Sequence, residues 1–380
     1  MKNYLRGAYA IIFLFLFILS CEPKTSPETK KVPETEKPVN VILLIGDGMG
    51  LAHVSTTYYF KSDGPSNFQR FKYVGLINTS AANSKITDSA AGATAFACGV
   101  RTDNGALGVD TAKQTVMNII ENVSRNNYQT GLVATSSITH ATPAGFYAHV
   151  PSRNMNEKIA EQLTTSEVDI FMGGGLQFFK NREDGKDMIQ QLKDHQFSLY
   201  YDIDELPDLK PDQKYGLLAA PDGLPVAHEG RGDFLPVASE KTLKYLSTGQ
   251  KPFFLMIEGS QIDWGAHENN GQYVIAEMLD FDKTIGKILD FAENNGKTLV
   301  IVTADHETGG MALASNLGDE MSADYNEINL SFSTEGHTAT LLPVFAMGPG
   351  AREFTGIYKN TEIYHKIVKL LDLEQLTAER

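Results

Sequence analysis

Residues 39–50 read VNVILLIGDGMG, a near-continuous apolar run that stops at a glycine-framed aspartate. A run without polar alternation predicts a strand buried on both faces, and hence a parallel sheet covered by helices. Apolar runs of strand length recur at Thr130–Thr135, Val168–Met172, Phe253–Ile257, Thr298–Thr303 and Leu342–Met347. Helical patterns lie between them at Thr115–Ser124, Met188–Asp194, Ala238–Leu246, Val274–Asn294 and Thr361–Leu371. That alternation predicts an α/β fold around a mostly parallel sheet, with function at the carboxyl ends of the strands. Residues 198–237, rich in Pro, Gly and Asp, predict an irregular excursion on one side of the sheet.

The whole chain has 380 residues, 42% hydrophobic and 21% charged, which excludes a disordered, collagenous or coiled-coil protein. Its two cysteines, Cys21 and Cys98, exclude a disulfide framework. A net charge of −14 excludes nucleic acid as the main partner, since a phosphate backbone is bound by clustered Lys and Arg. Spare carboxylates suit hard metal ions. At the start of the chain Lys2 and Arg6 precede an apolar stretch over residues 8–19, too short for a membrane span. The following Ile18-Leu19-Ser20-Cys21 resembles a bacterial lipoprotein processing box. Residues 1–20 are then a signal peptide, Cys21 a lipidated N-terminus in contact with a membrane, and 21–39 a tether rich in Pro, Lys, Glu and Thr. The expected location is that of an exported bacterial lipoprotein, periplasmic or on the cell surface; a plain signal peptide or an uncleaved anchor is the alternative. The mature chain would carry 47 acidic residues against 31 basic ones, or −16. Cys98 reads as a small core residue.

Gly46-Asp47-Gly48-Met49-Gly50 mimics a dinucleotide fingerprint, but Leu51 stands where its third glycine belongs, and Asp47 would repel a pyrophosphate. A carboxylate at a strand's end suits a metal ion better. The strand KPFFLMIE ends in Glu258, followed by Asp263 and His267, four residues apart and so on one face of a helical turn. The strand TLVIVTA runs into Asp305 and His306, and His337 precedes the strand LLPVFAM. Mixed Asp and His ligands suit zinc, whereas an all-oxygen site suits magnesium. His53, His149, His195, His228 and His365 lack such context and read as surface or core histidines. Asp88-Ser89 opens a small-residue helical run, Ala90 to Ala97. A serine there sits where free N–H groups favour an anion, with plain N-capping as the bland alternative. Thr87 and Cys98 are the competing nucleophiles.

Taken together, IGDGMG, TDSAAGATA with GVRTDNGALGV, THATPAGFYAHVPSR, MGGG, IEGSQIDWGAHEN and TADHETGG, in this order over residues 40–350, resemble the alkaline phosphatases, a family of metal-dependent phosphomonoesterases. The resemblance implies a three-layer sandwich with a central, mostly parallel sheet and a short crown-type excursion, built as a single catalytic α/β domain over residues 40–375. It implies hydrolysis of phosphate monoesters through a phosphoserine on Ser89. Asp263, His267 and His337 match the ligands of a first zinc ion, and Asp47, Asp305 and His306 those of a second. Asp47, Thr142 and Glu258 match a third site, usually magnesium. Arg153 matches the arginine that grips phosphate, and Asp88 the carboxylate that orients it. Two positions depart from the best-studied bacterial members, which carry Asp and Lys near the third metal and the phosphate: here they are His140 and Trp264. Losing the lysine loosens product binding, and the nitrogen of His140 puts the magnesium identity in question. The stretch between His306 and His337 is short, which makes the family's homodimer less secure here. The rivals are a superfamily phosphodiesterase, a sulfatase, and a non-catalytic metal- or phosphate-binding lipoprotein. No Cys/Ser-x-Pro-x-Arg motif of the sulfatases occurs, and the combination of Ser89, Arg153, Thr142 and Glu258 favours monoesters over diesters.

Overall fold

A computed structural model describes residues 37–180, 182–317 and 323–373. The expected signal peptide over residues 1–20, Cys21 and most of the expected tether lie outside the described residues, as do residues 374 and 375. In chain order the strands are β1 (Asn40–Gly46), β2 (Tyr73–Asn78), β3 (Gln129–Ser137), β4 (Ile170–Gly174), β5 (Phe197–Tyr200), β6 (Lys214–Leu218), β7 (Phe253–Gly259), β8 (Thr298–Thr303), β9 (Glu307–Thr308), β10 (Ala312–Leu317), β11 (Ala323–Ser331), β12 (His337–Thr338), β13 (Leu342–Met347) and β14 (Gly356–Lys359). Ten of them form one sheet in the order β14-β2-β13-β8-β1-β7-β3-β4-β6-β5. Every pairing in it is parallel except those of β13 with β2 and β8. Strands β1, β3, β7 and β8 are buried at every residue, so helices cover both faces and the result is a three-layer α/β sandwich. The chain is already docked at Val39, whose N–H donates to the Lys297 carbonyl at 2.9 Å, and Lys37 pairs with Asp372.

Four neighbouring strands bring their carboxyl ends side by side. Ile45 of β1 pairs with Glu258 of β7 and with Thr303 of β8, while Ala134 of β3 pairs with Glu258 from the other side. Whatever follows Ile45, Glu258, Thr303 and Ser137 is therefore delivered to one crevice. The excursion between β8 and β13 is small: β9 pairs with β12, and β10 with β11.

Several boundaries differ from expectation, each for a local reason. The predicted helix over Thr115–Ser124 starts only at Ile119, because Asn118 and Glu121 close a reciprocal capping box, each side chain accepting the other's backbone N–H at 3.0 and 2.9 Å. The segment 198–237 is less irregular than its composition suggests, since β5 and β6 extend the sheet through the buried residues Tyr215, Leu217 and Leu218. Strand β2 escapes the reading of apolar runs because it is partly exposed, with Val74 and Asn78 facing solvent.

The helix Ser89–Cys98 is deeply sunk, with all ten of its residues buried. Its small side chains let it press against the end of β8. A Cβ added at Gly92 would stand 2.9 Å from the Cβ of Asp305 and 3.3 Å from its carbonyl oxygen. Gly92→Ala in an open helix would stabilise by about 1 kcal/mol. Here the overlap reverses the sign, and we expect a cost of about 1–3 kcal/mol, read as a lower melting temperature; a raised melting temperature would show that the contact is not tight.

Candidate active site

Ser89 is the first residue of its helix, and Asp88 is the N-cap. One Asp88 oxygen accepts the Ala91 N–H at 3.0 Å; the other accepts the Gly105 N–H at 3.0 Å and Arg153 Nη1 at 3.3 Å. The Arg153 backbone N–H donates back to the Gly105 carbonyl, so loop and arginine are fastened to the helix start. Arg153 Nη2 reaches His140 Nε2 at 3.1 Å. The Trp264 ring stands edge-on to His140, centroids 6.0 Å apart at 79°, and a Cβ at Gly223 would lie 2.6 Å from the indole. The segment 198–237 thus touches the site through Gly223. Leu224 fixes that approach by donating its N–H to the Thr135 carbonyl at 3.0 Å and accepting from Gln261 at 2.8 Å.

Asp263 and His267 fall on the helix Gln261–His267, one turn apart as their spacing predicts. The His267 and His337 Nε2 atoms lie 3.2 Å apart, and 3.3 and 3.7 Å from Asp263 Oδ1. Around His306 Nε2, Ser89 Oγ stands at 3.1 Å, Asp47 Oδ1 at 3.2 Å and Asp305 Oδ2 at 3.5 Å. Four ligands held tetrahedrally at zinc bond lengths are about 3.3 Å apart. The histidines are oriented for that use. His267 Nδ1 faces the Glu335 carbonyl, His337 Nδ1 the Thr87 carbonyl at 2.9 Å and His306 Nδ1 the Thr308 hydroxyl at 3.1 Å. Donating from Nδ1 leaves each Nε2 lone pair turned into the cluster. A further group joins Asp47, His140 and Glu258, their donor atoms within 4.8 Å of one another, and Asp263 also lies that close to Asp47 and His306. Asp47 Oδ1 and Oδ2, His140 Nδ1, Thr142 Oγ1, Glu258 Oε1 and Asp305 Oδ2 are buried and make no hydrogen bond. So many unpartnered polar atoms at one place, most of them carboxylate oxygens, are the imprint of cations. The donor sets therefore fit metal ions.

The electrostatics agree. Burial, then the neighbouring carboxylates, push Asp47 well above the usual carboxylate range. Burial raises Glu258 to about 7 and Asp305 to about 6. Burial lowers His306 to about 4 and His140 to about 3, so both rings are neutral. Asp263 opposes its own burial: its hydrogen bond with His267 and the nearby His306 hold it low, while it holds His267 up to about 8. All the sequence-derived site residues converge here. Cys98 is instead a buried core residue whose thiol burial pushes up, and Thr87 turns its hydroxyl to the Asp88 carbonyl. His149 pairs with Glu121, away from the cluster. Sequence reasoning missed Thr308, which links His306 to Asp263, and Ser136, which donates to Glu258 at 3.1 Å. Thr308 was within reach, two residues beyond His306.

Chelation should expose this charge crowding. An acid with a raised pKa keeps its proton in the fold after the unfolded chain has lost it, so stability falls as pH climbs to the folded pKa. Glu258 and Asp47 act in this sense, and His267 likewise loses its stabilising proton as pH passes 8. The lowered histidines work the other way, but only below their ordinary value of 6.5. From pH 6.5 to 8.5 the chelated protein should therefore lose melting temperature, on the order of 3 °C at the ~2 °C per kcal/mol of a chain this size, the half-exposed His267 contributing less than its shift implies because solvent screens it. The metal-loaded protein should stay level; a flat chelated profile would contradict the charge assignment.

Comparison with known proteins points the same way. A family model described as alkaline phosphatase matches residues 38–329. Alkaline phosphatase 3 of Bacillus subtilis (strain 168) is 30% identical, with 92% of this chain and 92% of that protein covered. The alkaline phosphatase of Escherichia coli (strain K12) is also 30% identical, over 90% of this chain and 88% of that one. Among solved structures, the alkaline phosphatase of the Antarctic bacterium TAB5 is 50% identical, covers 90% of this chain and all of its own, and superposes with a TM-score of 0.87. A variant of it, with a histidine changed to aspartate, has magnesium bound in its M3 site. This chain belongs to the alkaline phosphatase family, metal-dependent hydrolases of phosphate monoesters.

Proposed function

We propose that this chain hydrolyses phosphate monoesters by two displacements through a phosphoserine on Ser89. The observation that carries the reading is Ser89 Oγ at a buried helix start, 3.1 Å from His306 Nε2, with the Asp88-held Arg153 guanidinium beside it. Ser89 Oγ forms a bond to phosphorus as the ester oxygen leaves; water then breaks the serine ester and releases inorganic phosphate. The Arg153 fork suits two nonbridging phosphate oxygens, and Asp88 fixes its orientation. The helix N-terminus adds free N–H groups and its partial positive charge.

Zinc is assigned to Asp263, His267 and His337 and, a second ion, to Asp47, Asp305 and His306. Magnesium is assigned to Asp47, Thr142 and Glu258, where the nitrogen of His140 is the one donor that suits zinc better. Such ions supply Lewis-acid stabilisation of the attacking and leaving oxygens. Asp263, close to His306 as well as to His267, stands between the two zinc groups.

The lipoprotein box at Ile18–Cys21 supports export and a membrane anchor through Cys21, in the periplasm or at the cell surface. The small excursion between β8 and β13 leaves little material for a family-type dimer contact, although a homodimer stays in the reading. Mass spectrometry of membrane-extracted protein should find an acylated Cys21 at the mature N-terminus; any other N-terminus removes the anchor.

Acid-quenched protein mixed with a ³²P-labelled monoester should carry label on Ser89. Ser89→Ala should lose the label and about 10³-fold or more in kcat/KM, with its fold unchanged. Label on Thr87, or undiminished turnover in the alanine variant, would overturn the assignment.

A further inference from the structure

His140 is asked to serve two neighbours with one lone pair. Arginine only donates, so the 3.1 Å contact from Arg153 Nη2 makes His140 Nε2 an acceptor and puts the ring proton on Nδ1. Nδ1 is buried and without a partner, and the ring belongs to the group with Asp47 and Glu258. We propose that ligation of a third-site ion by His140 and the docking of Arg153 on His140 exclude each other, so that the ion's binding releases the guanidinium to the substrate phosphate.

A neutral imidazole has one N–H and one lone pair. An ion on Nδ1 needs the lone pair there, so the proton passes to Nε2 and meets the Arg153 N–H donor to donor. The ring's net protonation does not change. Were the ion to take Nε2 instead, it would displace Arg153 directly, with the same outcome. The ring cannot simply turn away, because Trp264 stands against it and is itself backed by Gly223. Asp88 keeps hold of Nη1, so Arg153 pivots rather than leaves. Since the two equilibria share one ring, ion and phosphate must tighten each other by the same factor.

This rests on reading Asp47, His140 and Glu258 as an ion site, and the test separates the two. Inorganic phosphate is titrated calorimetrically into full-length protein holding two and then three equivalents of zinc. Wild type is compared with His140→Asp, whose two oxygens can serve the ion and Arg153 together. The cation's plain attraction for phosphate is common to both proteins. We expect the third zinc to tighten phosphate about 5-fold more in wild type than in the variant. In ¹⁵N-histidine-labelled protein, His140 should change from the Nδ1–H to the Nε2–H tautomer if the ion sits on Nδ1, or keep Nδ1–H with a metal-shifted Nε2 resonance if it sits on Nε2. Equal zinc dependence in both proteins, while metal analysis shows three bound ions, overturns the coupling alone. Failure to bind a third ion overturns the ion-site reading and the coupling with it.

Discussion

The structure turns on four carboxylates that a water-filled solvent would keep apart. Asp47, Glu258 and Asp305 are wholly buried and Asp263 is 5% exposed, all at one end of one sheet. Ionised carboxylates in such a place need counter-charge, because neither solvent nor distance weakens their repulsion. The fold brings them together through strand order: β8, β1, β7 and β3 are neighbours, and each ends in or leads to a residue of the cluster. The protein's own groups answer only part of the charge. Backbone N–H groups of Gly48 and His306 go to Asp305 Oδ1, but its Oδ2 and both Asp47 oxygens receive nothing. The charge left unanswered is what bound cations would neutralise, so the same residues bear on stability and on chemistry.

How much of this was legible in the sequence follows from the physics of each element. Strands buried on both faces announce themselves as apolar runs, so β1, β7 and β8 and the ligands at their ends could be read directly. The spacing of Asp263 and His267 carried its own geometry, one helical turn. Half-exposed β2 and short β5 lack that signal, since neither alternation nor a long run marks them. The contact of Gly223 with Trp264 joins residues 41 positions apart through a loop, and no local pattern encodes it. His140 was legible as a residue near the third site but not as the acceptor of Arg153, because the pairing depends on where β3 and the segment after it place two side chains. Thr308 and Ser136 were missed for another reason: a hydroxyl that orients a ligand looks like any other hydroxyl until its partner is located.

An acidic chain that acts on an anion is consistent once charge is considered locally. Three divalent ions would take the full chain from −14 to −8, and most of the remaining negative charge faces solvent, where salt screens it. Inside the crevice the signs would reverse, with Arg153, a helix start and bound cations around a phosphate. Among the described site residues little else is cationic. Trp264 carries no charge and His140 is neutral, so neither adds charge of its own. Phosphate recognition from the protein side then concentrates on one guanidinium, whose two hands go to Asp88 and His140. A site with a second cation could tolerate an arginine held aside. This one cannot, and the ring that holds Arg153 gains leverage over phosphate affinity in proportion.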